Sequence, residues 1–141
     1  MQLYAVTESG FRRISSADDL QAGEYLWEGD IPFYPDSDRH ALIIENGALR
    51  PANAAEILNF RRALRVAAMR AEAEPRIDAA IAPTTRSMLR DGVLSQADAD
   101  AVRTFISASY AAVNAAAVQI AAADAEAVDT IQPAWPTFGG A

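Results

Sequence analysis

Pro51 divides the chain into two kinds of sequence, and that division constrains the fold more than any other feature. Ahead of it stand Tyr4, Phe11, Tyr25, Trp27, Phe33 and Tyr34 among turn glycines; behind it alanine takes over, with 12 alanines between positions 101 and 127. Alanine has the strongest intrinsic helix preference and gives a pleated surface little to bury. Short aromatic and β-branched runs broken by Gly and Asn favour strands instead. The sequence thus predicts an α+β fold in three parts. A small N-terminal antiparallel β module covers 1–50, an α-helical hairpin or bundle covers 51–128, and an irregular Pro/aromatic tail covers 129–141. A chain of 141 residues buries roughly two-thirds of its unfolded surface and needs no metal or disulfide to fold.

Within the β module, Gln2–Val6 and Phe11–Ile14 read as a hairpin around Glu8-Ser9-Gly10. Ser15–Leu20 reads as a capped turn, because Ser and Asp side chains compete for backbone amides. Glu24–Glu28 is an aromatic strand, and Gly29–Arg39, with two prolines and three aspartates, is a loop. Ala41–Glu45 and Ala48–Arg50 flank Asn46-Gly47, the strongest hairpin signal in the chain, since a type I′ turn needs positive φ at both positions. Helices are expected near 53–74, 76–91 and 96–127. Asn53 and Ser95 stand as N-caps, Pro75 ends the first helix or starts the next, Pro83 kinks or splits the second, and Asp91-Gly92 closes it. On the first helix Ile57, Phe60, Leu64, Ala67, Ala68 and Ala71 form the expected apolar stripe. On the third, the stripe is Val102, Phe105, Ile106, Val113, Ala117 and Ile120.

The residue inventory excludes much chemistry. Without cysteine there is no disulfide scaffold, thiol nucleophile or iron–sulfur cluster, and a single histidine, His40, cannot build a multi-His metal site. Net charge is −7, the wrong sign for a phosphate-binding footprint, so no nucleic acid is expected as a partner. No uninterrupted run of about 18 apolar residues marks a membrane span, and MQLYAVTESGFRR lacks the basic-then-apolar order of a secretory signal. Those cues predict a soluble cytoplasmic protein. Asp36, Asp38 and His40, with Asp30 nearby, could line one side of an extended loop around a hard cation, but a solvated Asp/Pro/Ser loop explains them as well. Asp98, Asp100, Asp124 and Glu126 sit near helix ends, where the helix dipole and water account for them without catalysis. Arg61, Arg62, Arg65 and Arg70 are expected to form a solvated helix face paired with Glu56, Glu72 and Glu74. No phosphate-loop, dinucleotide, zinc-protease or nucleophile-elbow motif occurs. The expectation is a protein that is not an enzyme, with no cofactor and no metal.

Aromatics supply the positive signal. Tyr25, Trp27, Phe33, Tyr34, Trp135 and Phe138 are many rings for a small sheet, and four of them lie beside prolines in loops or tails. Rings supply contact area at low entropic cost, so these six are the candidate partner-binding residues; the plainer alternative is that they cover the helices.

The order of elements resembles the phage tail fibre assembly protein family, found among small phage and prophage tail proteins. The resemblance rests on Gly10-Phe11-Arg12, Asp19-Leu20-Gln21-Ala22-Gly23-Glu24, Ile31-Pro32, Pro75-Arg76-Ile77-Asp78-Ala79, Ser95 to Asp98 and Trp135-Pro136. Departures are Tyr110-Ala111-Ala112-Val113-Asn114, where the family commonly has aromatic, Arg and Leu, and Phe105 near a usual Trp. The resemblance implies a chaperone that binds the tip of a trimeric tail fibre and assists its folding or oligomerisation. It would act in the bacterial host cytoplasm during assembly and, in some cases, stay on the virion. The alternative is a permanent structural subunit of a tail, baseplate or capsid, with self-association through the alanine-rich helices.

Overall fold

The computed structural model describes residues 1–140. The fold is α+β as expected: antiparallel strands come first, and helices follow. The chain divides into two compact units, Met1–Arg61 and Arg62–Ala141. The division falls past Pro51, inside the first helix. The start of that helix belongs with the strands, because Glu56 pairs with Arg50 and Phe60 stacks on Tyr34.

In the N-terminal unit, strands β1 (Leu3–Val6), β2 (Phe11–Ile14) and β3 (Tyr25–Glu28) form an antiparallel sheet in the order β2-β1-β3. Strands β4 (Leu42–Glu45) and β5 (Ala48–Pro51) form a separate hairpin. Its turn residues Asn46 and Gly47 have φ of 54° and 77°, the left-handed pair that a type I′ turn requires. Ser15–Leu20 is a capping box in miniature: Ser16 Oγ accepts from the Asp18 amide, and Asp19 accepts from the Ser16 amide. The loop after β3 is more ordered than its prolines suggest, since the Tyr34 amide donates to the Arg39 carbonyl at 3.0 Å and Phe33 bridges to His40. The core is small: Ala5, Val6, Ile14, Tyr34, Ala41 and Leu42, with His40 buried among them.

The C-terminal unit is built on helices α1 (Ala54–Ala80), α2 (Pro83–Arg90) and α3 (Gln96–Ala122). Two expectations fail on α1. It runs through Pro75 instead of ending there, and its buried residues are Met69, Ala73 and Ile77, while Leu64, Ala67, Ala68 and Ala71 lie exposed. An interior proline costs about 3 kcal/mol, and burial of Ala73, Ile77 and Ile81 across the break outweighs it. Pro83 does split the next segment, standing at the first position of α2, where its missing N–H is no loss. Gly92, at φ 73°, ends α2 in a full Schellman arrangement, with Val93 N bonded to Met88 O and Gly92 N to Leu89 O.

Met69 and Ala73 of α1 meet Val113, Ala116 and Ile120 of α3, and Ile77 and Ile81 meet Val102 and Phe105. Ascending numbers on one helix face descending numbers on the other, so the pair is antiparallel. The α3 stripe holds at Val102, Phe105, Val113 and Ile120, with Ala116 buried in place of Ala117. By length and composition α3 could cross a bilayer, with mean hydropathy 1.4 over 18 residues, although charged and polar residues interrupt any single apolar run. It stops at Ala122, short of the expected 127, because Asp124 turns its carboxylate onto the amides of Glu126 and Ala127. The tail is not free of helix either: Val128–Thr130 makes a 3-10 turn, and the chain after Phe138 bends at Gly139, whose φ is 90°.

Candidate protein-binding surfaces

Strand register decides which N-terminal rings share a face. Val6 lies opposite both Phe11 and Tyr25, and Tyr4 lies opposite both Arg13 and Trp27. Paired residues project to the same side of a sheet, so Tyr4, Phe11, Tyr25 and Trp27 surround Val6 on one face. The middle of that face is closed, since Val6 has no exposed surface. At the β2 side it opens. Phe11 is 41% exposed, packs edge-to-face on Tyr4 at 5.7 Å, and meets Phe33, itself 47% exposed, at 5.8 Å.

His40 fixes the loop that carries Phe33. Its Nε2 donates to the Thr7 carbonyl at 2.7 Å, its Nδ1 accepts from the Leu42 amide at 3.3 Å, and its ring lies edge-on to Phe11 at 6.3 Å. Both ring nitrogens are thereby committed to backbone, so the histidine of the Asp36/Asp38/His40 constellation has none left for a cation. Among the described residues no three His, Cys, Asp or Glu side chains group to hold a metal ion.

The six candidate rings have separate fates. Phe33 is open to solvent, as expected of a contact residue. Tyr25 and Trp27 are half-buried on the sheet face, and the Trp27 indole donates to the Asp30 carbonyl at 2.9 Å. Tyr34 is a correction. It is buried, stacked on Phe60 at 4.1 Å with 16° between planes, and Arg39 lies 5.9 Å from both ring centres. That ring is core. Trp135 and Phe138 belong to the C-terminal unit, and both are folded onto helices. Arg76 sits 4.6 Å above the Trp135 ring, and Phe138 meets Phe105 edge-on at 5.2 Å. With Ala79, Ser109 and Pro136 they line a shallow depression of about 380 Å³. Among the described residues the Trp135 Nε1, buried there, has no hydrogen-bond partner.

Arg62 and Arg65 overturn another expectation. They are half-buried, and their guanidinium groups grip the tail's backbone: Arg62 Nε donates to Ala123 O at 3.0 Å, and Arg65 donates to Ile131 O at 2.8 Å. Carbonyl groups at a helix end need donors, and arginine forks supply them. Of the acidic residues near helix ends, Asp98 gives its backbone amide to Ser95 Oγ, Asp100 accepts from the Gln96 side chain, and Asp124 accepts from the Glu126 and Ala127 amides.

One cluster went unforeseen. Arg86 of α2 bridges Glu74 and Asp78 of α1, and the Tyr110 hydroxyl of α3 bonds Glu74. The Arg86 bond holds the Glu74 carboxyl below its ordinary range, and that carboxylate holds the Tyr110 phenol above its own. Through these bonds Glu74, Asp78, Arg86 and Tyr110 tie the three helices together. Phe11 and Tyr4 were also missed as surface residues. Pairing the strands across a two-residue Glu8-Ser9 turn would have put them on the Trp27 face. Set against known proteins, the chain matches no family model, no curated protein and no solved structure.

Proposed function

We propose that this chain is a protein-binding assembly factor, a chaperone for a phage tail fibre of the kind its N-terminal motifs resemble. The observation that carries the reading is the solvent-open Phe11–Phe33 pair, held on the edge of the sheet by the two backbone bonds of His40. A rigidly mounted aromatic pair loses little entropy when covered. It would shield apolar surface and unpaired strand edges of a fibre tip until the trimer closes. The reading places its action in the host cytoplasm, with the fibre as partner and no cofactor.

Co-expression with the tail fibre chain encoded nearest its gene tests this. Soluble, heat-resistant fibre trimer should rise several-fold with the parent protein and fall back with a Phe11→Ser/Phe33→Ser double variant that remains folded. Equal trimer yields with and without the protein would defeat the proposal. A permanent tail, baseplate or capsid subunit is the second reading, favoured by Val118, 73% exposed on α3 beside Ala111, Ala115 and Ala122. A stable symmetric oligomer of the isolated protein in light scattering would support it.

A further inference from the structure

β2 is an outer strand of its sheet, and Phe11, Arg12 and Arg13 on it are all exposed. The bond from Thr7 N to Gly10 O, at 2.9 Å, sets the phase of the ladder. Bonded and non-bonded pairs alternate in an antiparallel sheet. Arg12 and Ile14 therefore bond inward to β1, and Phe11 and Arg13 turn their N–H and C=O groups outward. The bond from Gly29 N to Gln2 O on the other side of β1 agrees with this phase. Among the described residues nothing bonds those outward groups. Past Ile14 the edge closes, since Asp19 takes the Ser15 and Ser16 amides.

The side chains beside this edge are chemically specific. Phe11 and Arg13 point to the same face, with Phe33 against Phe11. Arg12, on the opposite face, is bound by Glu24 and by the Asp19 carbonyl. Arg13 has no acidic partner among the described residues. A second copy of this chain pairing through β2 would set arginines of both strands against each other, and like charges across a ladder are destabilising.

We propose that β2 is a strand-addition site for an extended, acidic segment of a partner protein. On that segment an apolar side chain would lie against Phe11 and Phe33, and a carboxylate two residues away would lie against Arg13. Such addition draws affinity from main-chain bonds and specificity from alternate side chains. An antiparallel segment would read acidic-x-apolar from its N-terminus, and a parallel one apolar-x-acidic. The inference rests on the protein-binding reading above and specifies how the partner is held.

The test uses two fluorescein-labelled, threonine-rich ten-residue peptides, one containing Asp-Thr-Leu and the other Leu-Thr-Asp, titrated with the full chain by anisotropy. One of them should bind saturably. Arg13→Glu should weaken that peptide by about tenfold and favour its Lys-for-Asp counterpart. Arg13→Pro removes an outward N–H at an edge position where proline is tolerated, and should also weaken binding by about tenfold. Circular dichroism checks that each variant is folded. No saturable binding of either peptide overturns the proposal, as does unchanged affinity in Arg13→Glu. If the peptides fail while Phe11→Ser/Phe33→Ser still lowers fibre yield, strand addition is wrong and the chaperone reading stands. If a peptide binds as described while fibre yield is indifferent to the protein, the site stands and its assignment to fibres falls.

Discussion

The two units treat aromatic side chains in opposite ways. In Met1–Arg61, Phe11 and Phe33 remain open beside a sheet whose core holds few large side chains; in Arg62–Ala141, Trp135 and Phe138 are folded onto helices that already bury Met69, Ile77, Ile81 and Ile120. Composition did not separate Phe33 from Trp135, since each sits beside a proline. What separates them is the surface available to each. Two helices packed through Met69, Ile77, Val113 and Ile120 leave an apolar seam that a tail can cover. A three-stranded sheet of four-residue strands has too little area to cover its own edge.

The largest effect that tests this contrast comes from one substitution made twice. Ile120→Ala empties a site with no exposure, between helices that cannot easily collapse, and should cost in the upper half of the ~2–5 kcal/mol range for such cuts. Ile14→Ala removes the same atoms at 8% exposure, beside a depression lined by Gln2, Leu3 and Arg13 that water can enter. It should cost about 2 kcal/mol or less. Urea unfolding of both variants measures the difference, and equal losses would mean that the sheet is as tightly packed as the helices.

That contrast also sets what could be read in the sequence. Local chemistry was legible: Asn46-Gly47, the Ser16–Asp19 turn, the Asn53 cap and the Gly92 cap each satisfy their own backbone groups within a few residues. Features fixed by distant partners were not. Pro75 stays helical because of residues on α3, and Arg62 and Arg65 are recruited by carbonyls 61 and 66 positions away. Tyr34 is core because Phe60 arrives from another element. Of the six candidate rings, Phe33 keeps a large exposed area, and its partner Phe11 emerges only from strand register.

Acid should resolve the units next. The Glu24 and Glu56 carboxyls of the N-terminal unit are held below their ordinary 4.5 by Arg12 and Arg50, and Glu74 of the C-terminal unit is held low by Arg86. A lowered folded-state pKa gives stability that is complete above the ordinary value and disappears as pH falls through the folded one. Two of the three groups lie in the unit with the smaller core, so that unit should lose structure at the higher pH. Each unit holds one tryptophan, which allows separate readouts. Trp27 fluorescence in a Trp135→Phe background should change before Trp135 fluorescence in a Trp27→Phe background. Coincident transitions would dissolve the distinction between the units.

Trp135→Phe itself should produce the smallest change. The indole contributes packing against the cluster of Met69, Ala73, Val113, Ala116 and Ile120 and a cation–π contact with Arg76, and phenylalanine keeps most of the first and part of the second. Against that loss stands the buried Nε1, which has no acceptor among the described residues. An unsatisfied donor costs ~1–3 kcal/mol, and the substitution removes it. The two effects are of similar size and opposite sign, so net stability by urea unfolding should stay within about 1 kcal/mol of the parent. A loss well beyond that would show the indole N–H bonded in solution. The tail would then be held by a polar contact, and apolar coverage alone would no longer explain why its rings are folded in while Phe11 and Phe33 stay out.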